Sequence, residues 1–436
     1  MDSTTDRTWI DELRPALDGR PVILRGWLHH QRRLAHVTFL LVRDATGVAQ
    51  VVVEDEVLRA AIAALAPETV LEVGGRAGAS AQAPAGVEIH EPTIEVLATP
   101  AAAPPFELRR GELSASLPVT LDHAAVALRH PRARDVFSIS AASVAGFRST
   151  LDELRFTEVH TPKIVGTATE TGADVFTLDY FGRPAFLAQS PQFYKQTLVG
   201  VFERVYEVGP VFRAEPHDTV RHLAQYTSLD AELGFIAGHG DVMDTLRDVV
   251  AGMVEAAKSR AAPAIARLGL VLPVVPTSIP VIHFADAQQL LERLLGEPVV
   301  GEPDLAPSHE RRLGQWAAEE HGCDFLFVEG YPMAKRPFYT MPDAARPAFS
   351  RSFDLLFRGI ELVTGGQRLH RYDDYLAVLS PAQVEAMDGY LQAFRYGLPP
   401  HGGFAIGLER WVARLVGASN VRETTLFPRD RQRLAP

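Results

Sequence analysis

Residues 186–235, FLAQSPQFYKQTLVGVFERVYEVGPVFRAEPHDTVRHLAQYTSLDAELGF, set Lys195, Arg213, Glu215, His217, Arg221, His222, Asp230 and Glu232 among runs such as RVYEVGPVF. The β-branched and aromatic content of those runs predicts strands, and charges on a buried sheet need partners or a ligand. A hairpin with one wet face accounts for any one of these charges but not for the set. Several arginines, histidines and carboxylates on one sheet face suit a polyphosphate together with a zwitterion, because each ligand charge then meets its opposite. Further along, SFDLLFRGIELVTGGQRLHRYDDY carries Glu361 on a predicted strand ahead of a glycine turn with Arg368 and His370. HGGFAIGLERWVARLVG then runs from a strand into a helix bearing Glu409 and Arg410. Glycines there allow close approach of a ligand, although turns also use glycine for geometry alone.

The elements that must position these groups fall into two or three domains, as a chain of 436 residues implies. Residues 8–18 predict a short amphipathic helix. RPVILRGWLHHQRRLAHVTFLLVRDATGVAQVVVEDE reads as three strands with a turn at residues 44–47, and VLEVGGRAGAS and GVEIHEPTIEVLA add a fourth and fifth. Five short strands in about 80 residues suit a small Greek-key barrel of the OB type over residues 1–100, a fold that binds single-stranded nucleic acid on aromatic platforms and basic side chains. Residues 101–130, rich in proline and alanine, read as a linker. From residue 131 to 436 the pattern is that of a second, larger domain. A long amphipathic helix, PRARDVFSISAASVAGFRSTLDELRF, leads to a strand in TEVHTPKIV; residues 241–270 are helical; and residues 240–320 read as a small insertion with no assigned chemistry. Ser380 is a plausible N-cap for LSPAQVEAMDGYLQAFRYG, and DFLFVEGYP and RPFYTMP return to strand pattern. The fold class expected is α+β and multidomain.

Hydrophobic residues at 47% and charged residues at 22% fit a globular protein. The net charge of −11 argues against a general nucleic-acid coat protein but leaves room for a local basic face. The single cysteine, Cys323, excludes an intrachain disulfide and a cysteine-rich zinc site. The N-terminus lacks the apolar core of a secretory signal, and the uncharged run 268–285 is interrupted by Pro273, Pro276 and Pro280, so no membrane span and a cytoplasmic location are expected. Neither a zinc spacing, a P-loop nor a GxGxxG is present.

FRAE, a short loop, RHL and a second strand ending SLDAELGF resemble motif 2 of the class II aminoacyl-tRNA synthetases. With AQSPQFYKQ upstream and GGFAIGLERWVARLVGASNVRETTLFPRD downstream, nearly the whole chain resembles the aspartyl-tRNA synthetases of the shorter type found in archaea and eukaryotes. The resemblance implies an OB-fold anticodon domain followed by a class II catalytic domain, an antiparallel sheet flanked by helices. The helix and strand after residue 130 are similar to motif 1, which implies a homodimer.

The reaction implied is activation of L-aspartate by ATP and transfer to the 3′ end of tRNA(Asp). Its attacking carboxylate is already an anion, so alignment and charge neutralisation matter more than acid–base groups. The resemblance puts Arg213 on the α-phosphate and the attacking carboxylate, Glu215 on the adenine amino group, and Tyr226 and Arg410 on either face of adenine. It puts Arg221 and His222 near the outer phosphates or the tRNA acceptor end, and Glu361 with Thr364 on Mg²⁺, with threonine where serine is common. For the amino acid it implies Lys195 and Arg368 on the side-chain carboxylate, Asp230 bracing them, and Glu170, Ser190 and Gln192 at the ammonium group, with Glu170 on a loop around Gly172. Gln225 departs from the glutamate usual before the stacking aromatic. In the barrel it implies Phe39 as stacking platform, Arg32 and Gln50 reading base edges, and His29 with Gln82 and Pro84 near the last anticodon base. A histidine at 29 and no lysine near Pro84 point to relaxed reading that also charges tRNA(Asn), with an amidotransferase downstream.

The alternatives are a discriminating aspartyl enzyme, an asparaginyl-tRNA synthetase, a synthetase-derived asparagine synthetase and a non-enzymatic OB binding module. Lys195 and Asp230 argue against the second, the anticodon domain against the third, and Arg213, Glu361 and Arg410 against the last.

Overall fold

The computed structural model describes residues 7–84, 86–166, 174–216 and 219–435. The chain forms two compact units, residues 1–130 and 131–436. Residues 101–130 belong with the first unit, where Phe106, Leu108 and Ala127 form a small core of their own.

In the first unit, β1 (Pro21–Arg33), β2 (Thr38–Arg43), β3 (Val48–Val53), β4 (Val70–Ala79) and β5 (Val87–Ala98) close into a barrel in the order β1-β2-β3-β5-β4. Alternating residues, among them Leu24, Leu40, Val42, Val51, Val73 and Ile89, fill its interior. A helix, Glu56–Ile62, which the sequence reading omitted, is capped by Asp55 and sits between β3 and β4. Residues 8–18 form two 3₁₀ turns, Ile10–Glu12 and Pro15–Leu17, instead of one helix, because Pro15 interrupts the run.

The second unit is built on an eight-stranded sheet in the order Val281–His283, Phe325–Glu329, Ser352–Phe357, Ile360–Gln367, His401–Gly407, Gln225–Gly234, Arg204–Phe212, Thr157–Glu158. All neighbours are antiparallel except the pairs at the two edges. One face packs on helices Pro131–Glu153 and His239–Arg260, burying Phe147, Leu151, Leu246, Val250, Phe404 and Trp411. Gly146 lies against the carbonyl of Gly252, so the two helices cross closer than side chains would allow. The expected strand TEVHTPKIV survives only as Thr157–Glu158 and Ile164–Val165, in different sheets, with Pro162 between them. RPFYTMP forms no strand; Pro337 and Pro342 leave it with two isolated bridges, Thr340 to Arg368 and Pro342 to Ser350. No described helix is long and apolar enough to cross a membrane.

Candidate active site

Strand Gln225–Gly234 turns Tyr226, Ser228, Asp230 and Glu232 to one face, since side chains alternate. Around its N-terminal half lies an open cleft of about 210 Å³. It is lined by Arg213, Glu215, Arg221, His222, Tyr226, Glu361, Thr364 and Arg410, all eight of the described groups assigned to the nucleotide and its metal. The Arg213 guanidinium lies 5.7 Å from the Tyr226 ring centre and 3.7 Å from the Glu215 carboxylate, which in turn is 3.6 Å from His222.

Glu361 and Thr364 are three residues apart and a regular strand would place them on opposite faces. A bulge at Leu362, where Leu355 pairs with Val363 but Leu356 with Glu361, returns both to one side. The Thr364 hydroxyl then donates to Glu361 at 3.2 Å, and Arg410 donates to the Glu361 carbonyl at 3.0 Å. Behind them Asp354 is buried against Arg336 at 3.0 Å; burial, with Glu361 adding to it, pushes its pKa to about 6 despite the arginine. Glu409 accepts the Thr227 N–H on both carboxylate oxygens at 3.0 Å, which ties the neighbour of Tyr226 to the neighbour of Arg410 and so fixes the gap between them.

Deeper along the same strand, four buried charges meet. Lys195, on helix Gln192–Phe202, is 3.0 Å from Asp230 and 3.2 Å from Glu232, and Arg368 is 3.1 Å from Glu232. Arg368 also donates to the Gly403 carbonyl at 3.1 Å and to Gln192 at 3.5 Å, and Ser228 donates to Asp230 at 2.5 Å. Burial favours a neutral Glu232, but Arg368 and Lys195 outweigh it and hold its pKa low. Asp230 and Glu232 thus neutralise both cations from within the protein. Ser190 lies at the head of helix Gln192–Phe202, accepting the Gln192 N–H at 3.3 Å, and the buried Gln192 Nε2 has no acceptor among the described residues. Glu170 falls in 167–173, outside the described residues.

Beneath these charges His401 is fully buried. Its Nδ1–H donates to the Pro399 carbonyl and its Nε2 accepts from Gln196, each at 2.9 Å, and burial lowers its pKa to about 4. The unfolded chain takes up this proton near pH 6.5 and the folded chain only near pH 4, so the fold loses stability as pH falls through that window. The expected loss is on the order of 3 kcal/mol, read as the shift of the urea midpoint. His401→Gln is expected to flatten that slope, and an unaltered slope would assign it elsewhere.

On the barrel, the outward residues of β1, β2 and β3 include Arg32, Phe39 and Gln50; Arg32 pairs across the strands with Phe39, its guanidinium 4.7 Å from the ring centre. Gln50 donates to Glu88 at 2.9 Å. A bulge between Leu28 and His30 sets His29 beside Arg43, at 3.4 Å, where burial and the arginine lower its pKa to about 4. Gln82 and Pro84 are exposed in the loop between β4 and β5.

Sequence reasoning left Glu232, Glu310, Asp354 and Glu409 without roles. A carboxylate inside an apolar run, as in SFDLLF, was the available signal for Asp354; the others depend on contacts between distant segments.

The barrel and the charged cleft on an antiparallel sheet define a nucleic-acid-binding module joined to a class II synthetase catalytic domain. Residues 116–431 match the family described as tRNA synthetases class II (D, K and N), and residues 22–97 match the OB-fold nucleic acid binding domain. The chain is 46% identical over 420 residues to the Aspartate--tRNA(Asp/Asn) ligase of Thermus thermophilus, covering 96% of this chain and 97% of that protein. It is 44% identical to the protein of the same name in Deinococcus radiodurans, covering 100% of both. Among solved structures it is similar to the asparaginyl-tRNA synthetase of Pyrococcus horikoshii complexed with asparaginyl-adenylate, with a TM-score of 0.91, 31% identity and coverage of 99% of this chain and 100% of that one. The chain belongs to the class II tRNA synthetases of the D, K and N group, and it is an aminoacyl-tRNA synthetase.

Proposed function

We propose that the enzyme joins L-aspartate to ATP and transfers the aspartyl group to tRNA(Asp) and tRNA(Asn). The observation that carries the amino-acid assignment is the buried quartet Lys195, Arg368, Asp230 and Glu232. An aspartate side chain adds an acceptor-only carboxylate to a pocket rich in donors, and it can replace a long contact there, the 3.4 Å bond from Lys195 to the Phe404 carbonyl. Asparagine would turn an NH₂ toward those same donors. The likeness to an asparaginyl enzyme keeps that substrate as the second reading, and Lys195 and Asp230 weigh against it.

In the first step an α-carboxylate oxygen of aspartate attacks the α-phosphorus of ATP. The bond to the bridging oxygen breaks and pyrophosphate leaves. Arg213 spreads the charge of the reacting phosphate and carboxylate, and Tyr226 and Arg410 hold adenine between them while Glu215 accepts from its amino group. In the second step a hydroxyl at the tRNA 3′ end attacks the acyl carbon and AMP leaves. The oxygens of Glu361 and Thr364 fit Mg²⁺, an ion that keeps waters and shares phosphate oxygens. Among the described residues no three His, Cys, Asp or Glu side chains group as a self-sufficient metal site, which suits an ion arriving with ATP. When bound it would neutralise charge on the phosphates.

Anticodon binding is assigned to the face bearing Arg32, Phe39 and Gln50, with His29, Gln82 and Pro84 at the last base. Relaxed tRNA choice rests on the names of the two relatives, on His29 and on the absence of lysine near Pro84. Aspartyl-tRNA(Asn) requires an amidotransferase to consume it. Helix Pro131–Glu153 is the proposed dimer element, Glu170 the proposed ammonium ligand, and the cytoplasm the proposed compartment. The test is aminoacylation of purified tRNA(Asp) and tRNA(Asn) with labelled aspartate and, separately, labelled asparagine. Aspartate on both tRNAs is the expected result; aspartate on tRNA(Asp) alone removes the relaxed reading, and attached asparagine overturns the amino-acid assignment.

A further inference from the structure

Helix Pro307–His321 lies outside the stretches that carry the family resemblance, yet it delivers a carboxylate to the cleft. Glu310, in its first turn, is buried. One carboxylate oxygen accepts the Glu361 N–H at 3.0 Å and lies 3.5 Å from the Arg221 guanidinium. The bulge at Leu362 breaks the regular ladder beside Glu361, and Glu310 supplies an acceptor for its peptide. Burial raises the Glu310 pKa, while the Glu361 N–H, Arg221 and Arg410 work against that rise.

We infer that Glu310 is a positioning residue that competes with the outer phosphates of ATP for Arg221. Resting on the nucleotide reading of this site, the inference assigns Glu310 two tasks: it anchors the backbone of Glu361, and it holds Arg221 until a polyphosphate takes the guanidinium over. The two contacts differ in kind. The peptide contact persists when ATP binds, whereas the ion pair competes with ATP for the guanidinium.

Glu310→Gln separates the two, because its amide oxygen still accepts from Glu361 while the charge is gone. The experiment measures the affinity of the full-length protein for ATP with magnesium by calorimetry, alongside the KM values for ATP and aspartate in pyrophosphate exchange. Glu310→Gln is expected to bind ATP about three- to tenfold more tightly, with the aspartate KM unmoved. In an Arg221→Leu background the same change is expected to alter ATP affinity less than about twofold, since the competing pair no longer exists. Glu310→Ala, which also removes the Glu361 acceptor, is expected to weaken ATP binding. An ATP affinity unaltered by Glu310→Gln, or tightened equally without Arg221, overturns the inference. Failure of the parent protein to bind ATP at all overturns the nucleotide reading instead.

Discussion

Lys195→Met and Arg368→Leu are each expected to abolish aspartate-dependent ATP–pyrophosphate exchange. In the proposed pocket each removes a charge-assisted contact to the substrate side chain, on the order of 2 to 4 kcal/mol in the transition state. Each also strands buried carboxylate. Without Lys195, Asp230 keeps only the Ser228 hydroxyl among the described side chains, and Glu232 keeps Arg368. Breaking one member of a buried pair costs about 3 to 5 kcal/mol, so both variants are expected to lose stability as well as activity. Adding Asp230→Asn to Lys195→Met removes the stranded charge and is expected to restore much of the urea midpoint without restoring exchange. That split separates substrate recognition from folding. Exchange at the parental rate in either single variant would overturn the pocket assignment.

The barrel was legible because β1 to β5 alternate with period two and the hairpin turn at residues 44–47 carries its own signal. That Arg213, Glu215, Tyr226 and Arg410 line one cleft was legible through the family resemblance, because they stand in its compact motifs. What stayed hidden was set by distance in the chain. Glu310 meets Glu361 across 51 residues and Glu409 meets Thr227 across 182, and no local pattern announces such a pairing. The bulge that aligns Glu361 with Thr364 is likewise a property of paired strands and not of one strand. The part Glu232 plays in the charge balance of the amino-acid pocket was hidden for the same reason. Glu232 is two residues from Asp230 and shares its face, but its role follows only from Arg368, 136 residues away. Where proline interrupted a run, at Pro15, Pro162 and Pro337, the pattern overstated regular structure.

Gly403→Ala is expected to lower aspartate activation by at least about a hundredfold while the protein still folds. Gly403 lies in strand His401–Gly407, in register with Glu232 on one side and Gly366 on the other. Its carbonyl receives Arg368. A Cβ at this position would overlap both the Glu232 carboxylate and the Ala231 carbonyl, neither of which is the free end of an exposed chain. The backbone shift or the displaced carboxylate costs about 3 kcal/mol of stability. Either response moves Glu232 away from Lys195 and Arg368, so the aspartate KM is expected to rise well before the ATP KM does. Gly240→Ala supplies the contrast: a Cβ there meets nothing, and in the first turn of helix His239–Arg260 alanine is expected to leave the urea midpoint unchanged or raise it slightly. If Gly403→Ala binds aspartate as the parent does, the pocket tolerates a methyl group between its carboxylates, and strand spacing at Glu232 is not what sets the positions of Lys195 and Arg368.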